Sequence, residues 1–338
     1  MFDLSNSIDL PLIWAVIIAT AIFLYVFLDG FDLGIGILFP FAPSDKCRDR
    51  MMNSIAPFWD GNETWLVLGG GGLLAAFPLA YAILLPAFYL PIIFMLLGLI
   101  LRGVSFEFRF KTSGLSKRLW DYAFHLGSLA AAFFQGMILG AFVQGVQVTG
   151  RNFSGGPTEW ATGFSVMTGL ALVCGYSLLG ATWLIMKTED KTQVWARRMA
   201  RYALLLVGIF MVLVSMIMPT INQSIHHFWL DYKYVLIVLP MLAAMAWGVI
   251  WNDVRNQQAE FRPFILAMGL FLCCYLGLAI SFYPWIVPFH YTIWDAAASG
   301  PGLSLLLVGV LPLLPLILAY TAYSYYVFRG KSSHEHSY

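Results

Sequence analysis

Hydrophobic positions along this chain come in long runs, separated by short polar stretches. Nine apolar segments can be drawn, at about 11–39, 54–76, 79–104, 118–146, 160–187, 196–218, 233–251, 263–283 and 303–328. Each suits a hydrocarbon core of roughly 30 Å crossed at about 1.5 Å per helical residue. Backbone groups in lipid must be hydrogen-bonded within the segment, so the pattern predicts helices. Composition agrees: the chain is 60% hydrophobic and 11% charged, with a mean hydropathy of +0.76. A soluble domain carries about 25% charged residues. The sequence therefore reads as an all-α polytopic membrane protein, one integral membrane domain over 1–338, with no internal repeat apparent.

The charges fix an expected orientation. Seventeen of the nineteen Lys and Arg fall in or beside the loops after the first, third, fifth, seventh and ninth segments, leaving Arg151 and Lys233 in or beside the others. The positive-inside rule then places the N-terminus outside and the C-terminus in the cytoplasm. Trp14, Trp160, Trp229 and Trp285 fall at the expected outer ends, as an interfacial belt would. The N-terminus lacks the basic region of a secretory signal, so the first helix is expected to be a permanent span. No basic block suits nucleic acid. Cys47, Cys174, Cys273 and Cys274 form no CxxC pair and read as small buried residues.

Against this apolar background a few carboxylates stand out. Between Pro11 and Phe41 only Asp29 and Asp32 are charged, three residues apart on one helical face. The second segment opens with NSIAPFWDGNETW and adds Asp60 and Glu63, expected two to three turns in from the cytoplasmic end. The third ends in LRGVSFEFR, bringing Arg102 and Glu107 to the same side. Ionised groups at the bilayer centre cost roughly 2.5–3.5 kcal/mol each on insertion scales, less toward the interface. Two readings account for them. One is a buried ion-pair or capping network with Arg102 as counter-ion. The other is a proton or cation pathway opening to the cytoplasm, since desolvation moves carboxylates toward neutral pKa values.

Other motifs point less sharply. His125 lies alone within a segment, His226 and His227 sit side by side in an expected outer loop, and His334 and His336 lie in the polar tail. Haem and metal sites need converging ligands, so no cofactor is expected to be ligated by this chain. GGGG at 69–72 fits close helix packing better than a broken transporter helix. No nucleotide-binding motif or nucleophilic triad is present, so catalytic residues are not expected in this chain.

DGFDLGIGIL, MNSIAPFWDGNETWLV, AFPLAYA, YPWIVP and TIWDAAAS, in that order, resemble subunit II of the cytochrome bd-type quinol oxidases, most nearly the cyanide-insensitive branch. The resemblance implies two four-helix bundles plus one peripheral helix, in the bacterial inner membrane. It implies a homologously folded partner, subunit I, that holds two b-type haems, haem d or a third b-type haem, and the quinol site. It leaves room for small accessory single-helix subunits. The complex would draw electrons from the quinol pool, reduce oxygen to water with cytoplasmic protons, and release quinol protons outside. By motif, Asp60 belongs to a cytoplasmic proton path and Asp29 lies near its mouth. Trp65 matches a tryptophan associated with an oxygen route in some members, and Glu63 stands where the other branch often has Gln. From the residues alone, a proton- or cation-coupled secondary transporter or a membrane scaffold stays open. A transporter should show inverted repeats and midplane helix breaks.

Overall fold

The computed structural model describes residues 8–332. Its order is α1 (Leu10–Leu38), α2 (Asp45–Asn53), α3 (Trp59–Ala76), α4 (Pro78–Arg109), α5 (Gly114–Gln144), α6 (Gly163–Lys187), α7 (Asp190–Ile221), α8 (Gln223–Asp231), α9 (Lys233–Leu236), α10 (Val238–Asn256), α11 (Arg262–Phe282) and α12 (Gly300–Val327). Two short antiparallel hairpins, β1–β2 (Val148–Thr149, Asn152–Phe153) and β3–β4 (Trp285–Val287, Tyr291–Thr292), complete it.

Seven helices among the described residues are long and apolar enough to cross a membrane: α1, α4, α5, α6, α7, α11 and α12. The second and seventh predicted segments are helical too, as α3 and α10, but they are shorter and more polar. Asp60, Asn62 and Glu63 dilute α3, and Asn252, Asp253 and Arg255 dilute α10. Two local expectations change. Residues 54–58 form a turn, so α3 begins at Trp59 and Asp60 lies in its first turn, not two to three turns in. The expected loop around His226 and His227 is the helix α8.

α1 sits centrally, packing on α3, α5, α6, α11 and α12, while α4 runs along α5 and α7 packs on α6 and α10. In lipid there is little hydrophobic drive between helices, so close backbone approach through small residues must hold them. Gly34 of α1 meets α6 near Gly180, where an added Cβ would come within 1.8 Å of the Tyr176 carbonyl oxygen. Gly98 of α4 and Gly127 of α5 cross in the same way, each Cβ falling within 2.7 Å of the other's carbonyl. Side-chain bonds to backbone add register: Trp14 Nε1 donates to Leu303 O (3.1 Å), and the Tyr275 hydroxyl donates to Ala19 O (2.6 Å). Pro86 and Pro91 remove backbone donors from α4, which kinks at Phe88.

The loops rich in Lys and Arg gather at one end. Arg109, at the end of α4 and fully buried, is clamped by Asp49 (2.7 Å) and Asp121 (2.5 Å). Burial pushes the Asp49 carboxyl up, but Arg109 and Lys117 outweigh it and hold the group below its ordinary value. Arg50 donates to Glu189 O (3.0 Å), Lys331 pairs with Glu260 (2.5 Å), and the Ser332 amide donates to Lys187 O (2.8 Å). Lys187 also donates to the carbonyls of Phe328 and Gly330, beyond the end of α12.

The GGGG run divides by face. Gly69 and Gly72 pack on Ile22 and Ile18 of α1, whereas a Cβ on Gly70 or Gly71 meets nothing within 4 Å. Gly34→Ala should therefore destabilise the chain by about 3 kcal/mol, the upper end of overpacking costs. Gly70→Ala should leave the chain's own fold unchanged. Thermal denaturation in detergent and the yield of folded protein distinguish the two.

Candidate functional site

The site forms where α1, α3, α4 and α12 converge near the end that carries the basic loops. α4 delivers Arg102 two turns, or about 10 Å, before its own end. Arg102 is 2% exposed. Its Nη1 donates to Asp29 Oδ1 at 2.6 Å, and its Nη2 donates to Glu63 Oε1. The planar fork thus bridges a carboxylate on α1 and one on α3. Asp29 is fully buried and Glu63 is partly open. Trp59 lies 6.0 Å from the guanidinium, beside the salt bridge.

Asp32, one helical turn on and also fully buried, takes a different partner. Asn62 Nδ2 donates to Asp32 Oδ2 (2.7 Å) and to Leu28 O (3.2 Å), and the Tyr325 hydroxyl of α12 donates to Asn62 Oδ1 (3.1 Å). The partners in this second network carry no charge. The sequence pattern does not single out the network's other members, Asn62 and Tyr325. Asn62 stands inside the WDGNETW motif between the two acids, where their charge is the stronger signal. Tyr325 is one of several tyrosines near the end of α12, and nothing in their spacing selects it.

The remaining sequence candidates separate. Asp60 is solvent- or lipid-exposed on the outward side of α3, one turn from Glu63 and within its electrostatic reach. Glu107 does not join Arg102. It lies on the outer side of α4 and faces Lys111 at 3.8 Å, because residues 102 and 107 are five apart and project differently from the helix. Trp65 is 1% exposed and packs with Ala21, Tyr25, Phe27 and Leu28 of α1. Its Nε1 has no hydrogen-bond partner among the described residues.

A haem would need converging donors. His125 Nδ1 lies 3.2 Å from Gly36 O, and His226, His227 and His290 are exposed. Among the described residues no three His, Cys, Asp or Glu side chains gather as a metal-binding group. These residues do not fit a haem. His334 and His336 lie outside the described residues.

The comparisons with known proteins agree along nearly the whole chain. Cytochrome bd ubiquinol oxidase subunit 2 of Bacillus subtilis (strain 168) is 27% identical over 332 residues, covering 96% of this chain and 97% of that one. Cytochrome bd-I ubiquinol oxidase subunit 2 of Escherichia coli (strain K12) is 27% identical over 364 residues, covering 96% of each. The solved structure of bd oxidase from Geobacillus thermodenitrificans superimposes with a TM-score of 0.74 at 17% identity, covering 95% of this chain and 99% of that chain, which shows a common fold. The sequence model of cytochrome bd terminal oxidase subunit II matches residues 10–328. With Arg102 and its acids in place and that match spanning all twelve helices, the chain belongs to the cytochrome bd terminal oxidase subunit II family and is a membrane component of an oxidoreductase complex.

Proposed function

We propose that this chain is the subunit without haem in a bacterial terminal oxidase that reduces oxygen to water with electrons from quinol. Its partner is the haem-bearing subunit I, with two b-type haems and either haem d or a third b-type haem. In this reading the chain crosses the inner membrane nine times, counting α3 and α10, as two four-helix bundles and a peripheral helix. The N-terminus is outside and the C-terminus cytoplasmic. Family membership displaces the transporter alternative.

This chain's contribution is a proton path from the cytoplasm. One observation carries that reading: Arg102, desolvated and bridging Asp29 and Glu63, sits about two turns below the end where the basic loops gather, with Asp60 on the open side of α3. Asp60 and Glu63, one turn apart, offer successive carboxylates that take and release a proton. Asp29, fully buried behind Arg102 and so not at the mouth that the resemblance implies, takes it deeper, and Asp32 stands next to it on the Asn62–Tyr325 network. Arg102 keeps negative charge in a medium that would otherwise expel it. Glu107, exposed beside Lys111, lies toward the cytoplasmic surface, where it collects protons without touching the cluster. Trp65, wedged on α1, holds α3 at the spacing the cluster needs; as part of an oxygen route it would act through the partner.

A relay must titrate, so Asp60→Asn should assemble with normal haem content yet lower oxygen consumption per haem by about 10²-fold. Asp29→Asn should act in the same direction but less, since Arg102 keeps Glu63. Full turnover in assembled Asp60→Asn complex would leave the carboxylates as architecture.

Arg102→Leu should cost about 3–5 kcal/mol by stranding a buried charge, and should abolish the optical spectrum of the assembled complex. Arg102→Lys keeps the charge but loses the fork, and should recover part of the assembly. Equal yields of all three proteins would show that the bridge carries no stability.

For orientation, Glu335→Cys in a cysteine-free background should resist an impermeant thiol reagent in intact cells and react in inverted vesicles. Labelling from outside would reverse the assigned topology.

A further inference from the structure

Beside Asp29 the structure gathers further buried polar atoms. Asp29 Oδ2, the Tyr25 hydroxyl, the Tyr176 hydroxyl and Gln135 Oε1 are all shielded from solvent, and none has a hydrogen-bond partner among the described residues. They come from three helices, α1, α5 and α6. Tyr25 precedes Asp29 by one turn on the same face of α1. Tyr176 is laid against α1 at Gly30, where an added Cβ would sit 2.7 Å from its ring, and its other side stacks on Phe271 at 6.0 Å. The Tyr25 hydroxyl and Asp29 are neighbours, as are the Tyr176 hydroxyl and the Gln135 amide, and the two tyrosines lie within electrostatic reach of each other and of Asp29. Each pair is close enough to interact, yet neither attains full hydrogen-bond geometry.

Four buried polar atoms left unpaired in one place would be a heavy penalty, because each forfeits the hydrogen bond it makes in the unfolded or hydrated state. Water resolves this. A buried water makes 2–4 hydrogen bonds and is retained where polar groups converge. Both hydroxyls donate and accept, the amide oxygen accepts, and a carboxyl oxygen does either according to its protonation. We propose that Tyr25, Tyr176, Gln135 and Asp29 Oδ2 bind internal water, and that this hydrated group is a side branch of the proton path. The role as a branch rests on the proton-path reading, but the water site does not. A proton reaching Asp29 forms an O–H bond at Oδ2 and is donated to the adjacent water. It leaves by the same oxygen when the path draws on it, and no electron moves.

The test uses the assembled oxidase, with Tyr25→Phe and Tyr176→Phe, each deleting one hydroxyl and keeping the ring. A high-resolution density map of the wild-type complex should show ordered water touching at least two of the four atoms. Tyr176→Phe should lower the melting temperature at fixed scan rate by about 2 °C, since the water loses a partner. In a dry site the sign reverses: removing an unpaired buried hydroxyl leaves stability unchanged or raises it. A map with Tyr25 bonded directly to Asp29 and no water, or a melting temperature that stays or rises, overturns the water site. For the branch, Tyr176→Phe should slow oxygen consumption by about threefold and shift its pH profile, against the roughly 10²-fold loss set by Asp60→Asn. Wild-type turnover and profile in Tyr176→Phe, with Asp60→Asn impaired, overturns the branch alone. Full turnover in Asp60→Asn removes the path itself, and the water site is then judged on the map and the melting temperature.

Discussion

The structure depends on how one guanidinium is neutralised where water is scarce. Arg102 is 2% exposed and holds Asp29 from α1 and Glu63 from α3. Taking any one of these ions out of water alone would cost several kcal/mol, and the bridge offsets that only if its geometry is kept. Three helices are thereby tied at one depth. If α3 or α4 slid by one residue, about 1.5 Å, the fork would lose its alignment with one of the two acids.

Packing has to deliver that alignment without help from a hydrophobic drive. The approach of Gly34 to α6, and of Gly98 to Gly127, brings backbones close enough that dispersion and backbone dipoles hold the helices. α1 can then lie in the middle of the fold and carry two fully buried aspartates. The same economy of side chains leaves Gly61, Gly70 and Gly71 on α3 with open space before them. The side of α3 that bears Asp60 is not covered by the described residues, which suits a subunit that works beside a partner.

The two buried aspartates of α1 have different surroundings. Asp29 is held by Arg102, while Asp32 is held by the Asn62 amide and through it by Tyr325. The second network reaches α12, whose end is fastened by Lys187 to the basic-loop end of the bundle. The acids are thus connected through neutral groups to the last helix as well as through charge to α4.

By itself the sequence determined what composition and period control. Long apolar runs among few charges must be membrane helices, because lipid offers the backbone no other partner. The motifs around Asp29 and Asp60 carried the family, and Arg102 was legible as a counter-ion since so few cations interrupt the apolar segments. The sequence did not determine which acids meet. Helical spacing puts Asp29 with Asp32 and Asp60 with Glu63, but it cannot say how far each helix is rotated about its axis. Only the packed structure decided that rotation. It turned Glu63 and Asn62 inward, left Asp60 on the open side, sent Glu107 to Lys111, and brought Tyr325 across some 263 residues of chain to Asn62. Such contacts are set by which small residues let two backbones approach, and that is a property of pairs of helices rather than of any one segment.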